Sequence, residues 1–251
     1  MLLKDYYPNL NKKYSKIKFN GIAFNSKNVK KNYIFFAISG NNIDGNKFVK
    51  EAIKKGSKII ISEKFNEKLN GDILYLKNKN PRKLLSRFSV KLSGKKPNNL
   101  IAVTGTNGKS SIANFYYQIL KINNIKVSSI GTLGVEGIKV KKKISNTTFD
   151  PIKINKFLKI LKNKKIENVI LEATSHGLKQ HRLHGLKFNI GIFTNLSRDH
   201  LDYHKTYKDY FNSKLILFNK LIKKGGMVIY DNDINYSKIL KKICKNKNLK
   251  S

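Results

Sequence analysis

The chain has 251 residues, 40% of them hydrophobic, with 52 lysines and arginines against 15 aspartates and glutamates for a formal net charge of +37. That length and apolar content suffice for one or two domains with substantial cores, and the single cysteine, Cys244, excludes an internal disulfide framework. Residues 1–9 lack the apolar core of a secretory signal and nowhere do 18 apolar residues run together, so a soluble, cytoplasmic chain with no membrane partner is expected. Charge of this size suggests nucleic acid, yet the lysines are spread from Lys4 to Lys250 among asparagines and isoleucines, with no compact basic block and no interleaved aromatics. Nucleic acid is therefore not the expected partner, although the charge favours capture of anionic nucleotides.

In chain order, apolar runs at 33–38, 58–62 and 73–76 predict strands, with helical spacing at 47–55 and 81–92 between them. This is a small α/β unit. The polar stretch 93–99, with Gly94 and Pro97, reads as a linker, so a first domain over 1–95 and a second over 96–251 are expected. In the second, strands at 100–104, 168–172, 190–194 and 227–230 alternate with helices, the first of them at 112–121. Their near-continuous apolar character predicts a mostly parallel sheet buried on both faces. Residues 135–144 read as a hairpin insertion. Residues 207–223 read as one helix, because Tyr207, Tyr210, Phe211, Leu215, Phe218 and Leu221 recur at three and four.

The richest chemical signal is Ile101-Ala-Val-Thr-Gly-Thr-Asn-Gly-Lys-Ser-Ser111, an apolar strand breaking into a glycine loop that ends in Lys-Ser at a helix start. Gly105 and Gly108 let backbone N–H groups turn on an anion, the helix presents its positive end there, and Lys109 adds a mobile charge. Ser110 is positioned to hold magnesium. The spacing is G-x-x-G-K-S, shorter than the common phosphate loop. Glu172 and Asp199-His200 follow other apolar runs and so fall at carboxyl strand ends, the edge of an open parallel sheet where ligands bind. Oxygen ligands and an imidazole converging there would suit magnesium.

Ser175-His176 does not form a hydrolase signature, since sequence neighbours rarely face each other and no G-x-S-x-G elbow is present. His181, His184 and His204 lack zinc spacing. Only four arginines, Arg82, Arg87, Arg182 and Arg198, stand among the many lysines, which points to positions that need a planar fork.

Taken together these residues resemble the Mur ligases of peptidoglycan synthesis, most closely the MurE type. In the first unit Asn25-Ser-Lys-Asn-Val-Lys30, Ile34-Phe-Phe-Ala-Ile-Ser-Gly40 and Asp44-Gly45 are similar to family patterns. So are Thr104-Gly-Thr-Asn-Gly-Lys-Ser-Ser111, Asn146-Thr-Thr148, Leu171-Glu-Ala-Thr-Ser-His-Gly-Leu178 and Gln180-His-Arg182. Thr194-Asn-Leu-Ser-Arg-Asp-His-Leu-Asp-Tyr-His204 is the most specific match. Asn25 and Lys27 replace the family's usual Asp and Arg, Ala173-Thr174 stands where Val-Ser is common, and Phe149 stands where proline is frequent.

The resemblance implies an ATP-dependent amide ligase that adds a diamino acid to UDP-N-acetylmuramoyl-L-Ala-D-Glu through an acyl phosphate, with ATP and Mg2+ as cofactors. It implies that Gly105, Thr106, Asn107, Gly108, Lys109, Ser110 and Ser111 bind ATP, and that Ser110, Glu172, His200 and Lys214, carbamylated by CO2, serve the metal. Lys109 and Lys214 would be catalytic. Phe24, Ser26, Asn41, Asn42 and Ile43 would take the uridine diphosphate, and Asn146, Thr147, Thr148, Thr174, Gln180 and Arg182 the muramoyl-dipeptide. Family members continue into a third, Rossmann-like domain for the incoming amino acid. By comparison this chain is expected to end inside an incomplete central sheet, with unpaired strand edges and exposed apolar surface, and to ligate poorly unless a separate C-terminal domain is supplied. The rival readings are another Mur-like ligase, such as a folylpolyglutamate synthetase, and a noncatalytic basic nucleotide- or nucleic-acid-binding remnant. The combination of Ser175-His176-Gly177 with His200-Leu-Asp-Tyr-His204 argues against the first, and the dispersed lysines argue against the second.

Overall fold

The computed structural model describes residues 1–40, 43–138 and 147–251. The chain divides into two compact units, Met1–Leu92 and Ser93–Ser251, each built on its own sheet. The first contains β1 (Gly21–Ala23), β2 (Tyr33–Phe36), α1 (Val49–Lys54), β3 (Ile59–Ser62), β4 (Lys68–Asn70), β5 (Ile73–Lys77) and α2 (Pro81–Ser93). Its strand order is β1-β2-β3-β5-β4, parallel except for the β4–β5 pair. All of β3 is buried, because a central parallel strand is covered on both faces. Ala23, Val29, Phe35, Val49 and Ile60 form one core cluster, while Phe19 and Phe36 meet Phe88 of α2 in another group. The helix predicted at 47–55 is split into a tight turn, Gly45–Phe48, and then α1. The Asp44 carboxylate caps that turn by accepting from the Asn46 N–H at 3.0 Å.

The second unit runs β6 (Asn99–Thr104), α3 (Lys109–Ile122), β7 (Val127–Gly131), β8 (Gly134–Val135), α4 (Pro151–Asn163), β9 (Asn168–Glu172), α5 (Ser175–Lys179), β10 (Phe188–Phe193), α6 (Leu201–His204), α7 (Tyr207–Ile216), β11 (Ile222–Tyr230) and α8 (Ser237–Lys247). The order β11-β10-β6-β9-β7-β8 is parallel apart from the short β7–β8 pair. Register places Val103 beside Glu172 and Thr104 beside Phe193, so three strands end level and deliver their following loops to one edge. Both sheets bear out the expected α/β class. α8 buries Leu240, Ile243 and Cys244 on one face, which makes the thiol a packing group.

Three local expectations are corrected. The helix predicted over 207–223 ends at Ile216, widens into a π-helical turn, Leu217–Leu221, and becomes strand at Ile222. Parallel pairing of Ile222 with Phe188 wins over helical periodicity there. The predicted hairpin at 135–144 has its partner upstream instead, with Val135 opposite Ile130, and 139–144 lie outside the described residues. The outer edge of β11 is in part occupied, since Val228 N–H donates to Lys250 O at 2.8 Å and Lys250 N–H to Gly226 O at 2.9 Å. Exposed apolar surface is present, chiefly Phe115, Ile119 and Ile122 along α3. Among the described residues no helix is long and apolar enough to cross a membrane.

Candidate nucleotide and substrate site

The glycine loop leaves β6 at Thr104 and enters α3 at Lys109, with Gly108 in a left-handed conformation (φ 80°) as the residue before the helix. The segment after β10 pins it. Thr106 N–H donates to Asn195 O at 3.0 Å, Asn107 N–H to Asn195 Oδ1 at 2.9 Å, and Thr194 Oγ1 to Asn107 O at 2.6 Å. Thr106 Oγ1 accepts from Ser197 N–H at 3.0 Å and lies 3.1 Å from the Tyr210 hydroxyl. Two loop amides are therefore used to fix its shape, and the first-turn N–H groups of α3, which have no carbonyl within the helix to pair with, are the donors this helix start can offer an anion. Lys109 Nζ folds back on the loop, donating to Thr106 O at 2.6 Å and Gly105 O at 3.1 Å. Burial lowers its pKa, and Glu172 and Asp199 oppose that shift.

Glu172 is 3% exposed and surrounded by donors. Ser110 Oγ donates to Oε2 at 2.9 Å, Thr132 N–H to Oε1 at 2.8 Å and Thr132 Oγ1 to Oε2 at 3.2 Å. Thr132 was not singled out in the sequence, and its signal is the turn Gly131-Thr-Leu-Gly134 between β7 and β8. A Cβ on Gly131 would lie 2.1 Å from Glu172 Oε1 and 2.6 Å from its Cδ, so only glycine leaves room for this carboxylate. Gly131→Ala is expected to displace Glu172 and to destabilise the fold by ~1–3 kcal/mol, read by urea unfolding.

Lys214 projects from α7 to the back of the same loop, is 1% exposed, and donates to Gly105 O at 2.6 Å with its ammonium 4.3 Å from the Tyr210 ring centre. Burial, and then the charge of Lys109, bring its pKa down to about 7 against a smaller opposing pull from Asp199. Lys109, Ser110, Glu172 and Lys214 are thus brought together around one loop. His200 is not hydrogen-bonded into that group. It sits in a left-handed conformation (φ 52°) with Nε2 3.4 Å from Asp199 Oδ2 and its ring 4.9 Å from that of His176. Among the described residues no cluster of three or more His, Cys, Asp or Glu could hold a metal by itself. The Ser110 and Glu172 oxygens nevertheless form a hard, oxygen-only donor set of the type magnesium accepts when phosphate and water complete its shell.

A second network extends from the Glu172 backbone. Thr148 Oγ1 donates to Glu172 O at 2.8 Å and lies 3.0 Å from Thr174 Oγ1, while Thr147 Oγ1 lies 3.2 Å from Thr132 Oγ1, whose proton is given to Glu172. Arg182 turns its fork on Gln180 Oε1, at 2.8 and 3.1 Å, and reaches Thr148 O at 2.5 Å; Gln180 Nε2 in turn donates to Tyr203 OH at 3.1 Å. Thr147, Thr148, Thr174, Gln180 and Arg182 therefore share one surface. In the first unit, Ser26 is buried and donates to Glu51 Oε2 at 2.8 Å, while Phe24 and Ile43 are exposed. Asn25 closes its own turn by accepting from Lys27 N–H at 2.9 Å, a local reason for the Asn at that position. Asn41, Asn42 and Asn146 lie outside the described residues.

His204 braces this surface from beneath. Its Nε2 lies 3.0 Å from Ser175 Oγ, and its Nδ1 a long 3.4 Å from Asp209 Oδ2. Burial, followed by the charges of Lys179 and His176, lowers its pKa to about 4. The unfolded chain takes up a proton below about 6.5 that the fold refuses, so stability should fall as pH drops from there to about 4, by at most ~3 kcal/mol. Urea midpoints across that window should show the fall, and His204→Gln should flatten it.

A level carboxyl edge, a glycine loop opening a helix and a buried carboxylate on the loop's serine define an α/β protein of the phosphate-loop class. Residues 103–251 match the Mur ligase middle domain, and residues 18–89 match the Mur ligase family, catalytic domain. The chain belongs to the Mur ligase family. Curated relatives include UDP-N-acetylmuramoyl-L-alanyl-D-glutamate--2,6-diaminopimelate ligases of Rickettsia montanensis, 39% identical over 246 residues, and of Wigglesworthia glossinidia brevipalpis, 41% identical over 248. Each match covers 96% of this chain and 51% and 50% of the respective relative, so the chain spans about half the length of the curated relatives it matches. A solved structure of a diaminopimelate ligase of the same description superposes with a TM-score of 0.80 at 26% identity, covering 98% of this chain and 50% of that one. MurF of Thermotoga maritima in complex with ADP shares the fold, with a TM-score of 0.57 at 20% identity over 91% of this chain and 48% of its own.

Proposed function

We propose that this chain carries the ATP-binding and carboxylate-activating machinery of a ligase that joins a diamino acid, 2,6-diaminopimelate, to UDP-N-acetylmuramoyl-L-Ala-D-Glu. The observation that supports this most is the meeting of Lys109, Ser110, Glu172 and Lys214 around one glycine loop, with Ser110 Oγ 2.9 Å from Glu172 and Lys214 Nζ 2.6 Å from Gly105 O. A carboxylate oxygen of the dipeptide attacks the terminal phosphorus of ATP, ADP leaves, and an acyl phosphate remains. The amine then attacks the acyl carbon, phosphate departs and the amide forms. The residues position these groups and neutralise charge, which is most of what phosphoryl transfer needs.

Lys109 is held in reserve on the carbonyls of Gly105 and Thr106 and is free to exchange them for phosphoryl oxygens. Ser110 and Glu172 would hold magnesium, which when bound would neutralise phosphate charge. With a pKa of about 7, Lys214 is substantially unprotonated at neutral pH. Its amine can add to CO2, forming an N–C bond and releasing a proton to water, and so replaces a buried cation with an anionic carbamate. His200 joins the site through Asp199, whose charge acts on both lysines. Phe24, Ser26 and the loop at 41–43 would serve the uridine diphosphate, and Asn146 through Arg182 the muramoyl-dipeptide.

Calorimetric titration of the chain with UDP-muramoyl-dipeptide and, separately, ADP with magnesium tests the assignment. Arg182→Ala should weaken the sugar nucleotide about 10- to 100-fold, ~1.5–3 kcal/mol, and leave ADP unchanged. Equal affinity of wild type and variant for the sugar nucleotide would remove Arg182 from the substrate site.

A further inference from the structure

A cavity of about 460 Å3 opens in the first unit at the carboxyl end of β5, and neither the nucleotide loop nor the Ser26 region accounts for it. In the strand order β1-β2-β3-β5 it lies on the far side of β3 from Ser26 and Ile43, which follow β1 and β2. Its wall carries Lys79, Lys83 and Arg87 against one carboxylate, Glu67. None of those three cationic groups has an ion-pair or hydrogen-bond partner for its side chain among the described residues. Lys77, also in the wall, is engaged with Asn66 Oδ1 at 3.2 Å.

Two features distinguish this group from the lysines scattered over the rest of the surface. Arg87 is one of only four arginines in the chain. Arg82 and Arg182 turn their forks on protein oxygens, whereas the fork of Arg87 has no protein acceptor among the described residues. Second, Lys83 and Arg87 stand one helical turn apart on α2, an arrangement of like charges that disfavours the helix until an anion sits between them. The start of α2 faces the same end: Asn80 Oδ1 accepts from Lys83 N–H at 2.9 Å, and the helix adds its positive end there. Buried Leu84 and the largely buried ring of Tyr7 provide an apolar floor, and Tyr7 is held by its hydroxyl on Lys77 O at 2.6 Å.

We propose that this cavity binds a small organic diphosphate or a comparably compact phosphorylated ligand, with Arg87 gripping one phosphoryl group bidentately and Lys79 and Lys83 neutralising the rest. The volume suits a ligand of mononucleotide size. The inference does not depend on the ligase reading, because none of its residues takes part in that reaction.

The test uses the 251-residue chain carrying Lys109→Ala, so that the glycine loop does not dominate phosphate binding, titrated with inorganic pyrophosphate by calorimetry at about 0.15 M salt. One saturable site is expected, weakened at least tenfold by Lys83→Gln with Arg87→Gln and unchanged by the exposed control pair Lys241→Gln with Lys242→Gln. All four positions are on helix surfaces, and thermal melting confirms that the variants fold. Absence of a saturable site, or equal weakening by both pairs, overturns the proposal and leaves only the general attraction of a highly charged chain. A hexaglutamate peptide that binds more tightly than pyrophosphate, with the same dependence on Lys83 and Arg87, would overturn the assignment to phosphorylated small molecules.

Discussion

Lys214→Met is expected to stabilise the isolated chain at neutral pH. Lys214 is 1% exposed, and burial has brought its pKa to about 7 from an ordinary value near 10.5. Between those two values the unfolded chain holds a proton that the fold does not, so wild-type stability should rise with pH through that window, by ~4–5 kcal/mol in total. At pH 7 nearly all of that penalty is still present. Methionine has similar length and nothing to protonate, so the variant should gain ~3–4 kcal/mol at pH 7 after ~1 kcal/mol is subtracted for the lost bond to Gly105 O. The gain should vanish above about pH 10. Urea unfolding of both proteins at pH 7 and pH 10 gives the comparison, and a difference that does not change with pH would show that Lys214 is not a buried, depressed amine. To lower stability where a methionine would raise it is the pattern expected of the chemical role proposed for Lys214.

Gly105→Ala should have the opposite effect, with both stability and nucleotide binding lost. A Cβ there would come within 1.8 Å of Thr194 Oγ1 and 3.0 Å of Asn195 N. The threonine cannot rotate away without giving up its 2.6 Å bond to Asn107 O, and the Asn195 amide is backbone. We expect a loss of ~2–4 kcal/mol from overpacking. Displacement of the carbonyl that receives both Lys109 and Lys214 should also abolish measurable ADP binding. Unchanged ADP affinity in a folded variant would mean that the loop's shape does not matter to the nucleotide.

The glycine loop was legible in the sequence because its chemistry is local: two glycines, Lys109 and Ser110 follow one another directly between a strand and a helix. Glu172 was legible as a strand-end residue, and the level registers of β6, β9 and β10 explain its place beside the glycine loop, whereas His200 lies seven residues past the end of β10 and contacts Asp199 rather than the Ser110–Glu172 pair. Lys214 was different. It is a lysine among many on an amphipathic helix, and only the resemblance singled it out before burial could be seen. The supporting roles of Thr132, Asn195 and Tyr210 could not be read because these residues act through contacts 40 to 104 residues distant in sequence. β7 was also missed, for a physical reason. Its second and third residues are serines, 0% and 5% exposed, and Ser128 Oγ satisfies itself on Glu136 O at 2.5 Å, so a core strand reads as polar. The end of α7 was overextended because Phe218 and Leu221 continue the helical spacing after the backbone has begun to change.

That change of backbone has a mechanical consequence. No loop separates α7 from β11: the π-helical turn Leu217–Leu221 passes directly into the strand at Ile222, and the strand is hydrogen-bonded to β10. The angular setting of Lys214 is therefore tied to the pairing of Ile222 with Phe188, the one rung of the ladder that precedes a bulge at residues 223–226. Because each residue of a helix advances it by about 100°, inserting or deleting one amino acid anywhere from 217 to 222 would swing the Lys214 amine away from Gly105 or tear Ile222 from Phe188. Substitutions on the solvent side of this stretch should be accepted freely, whereas any change in its length should not.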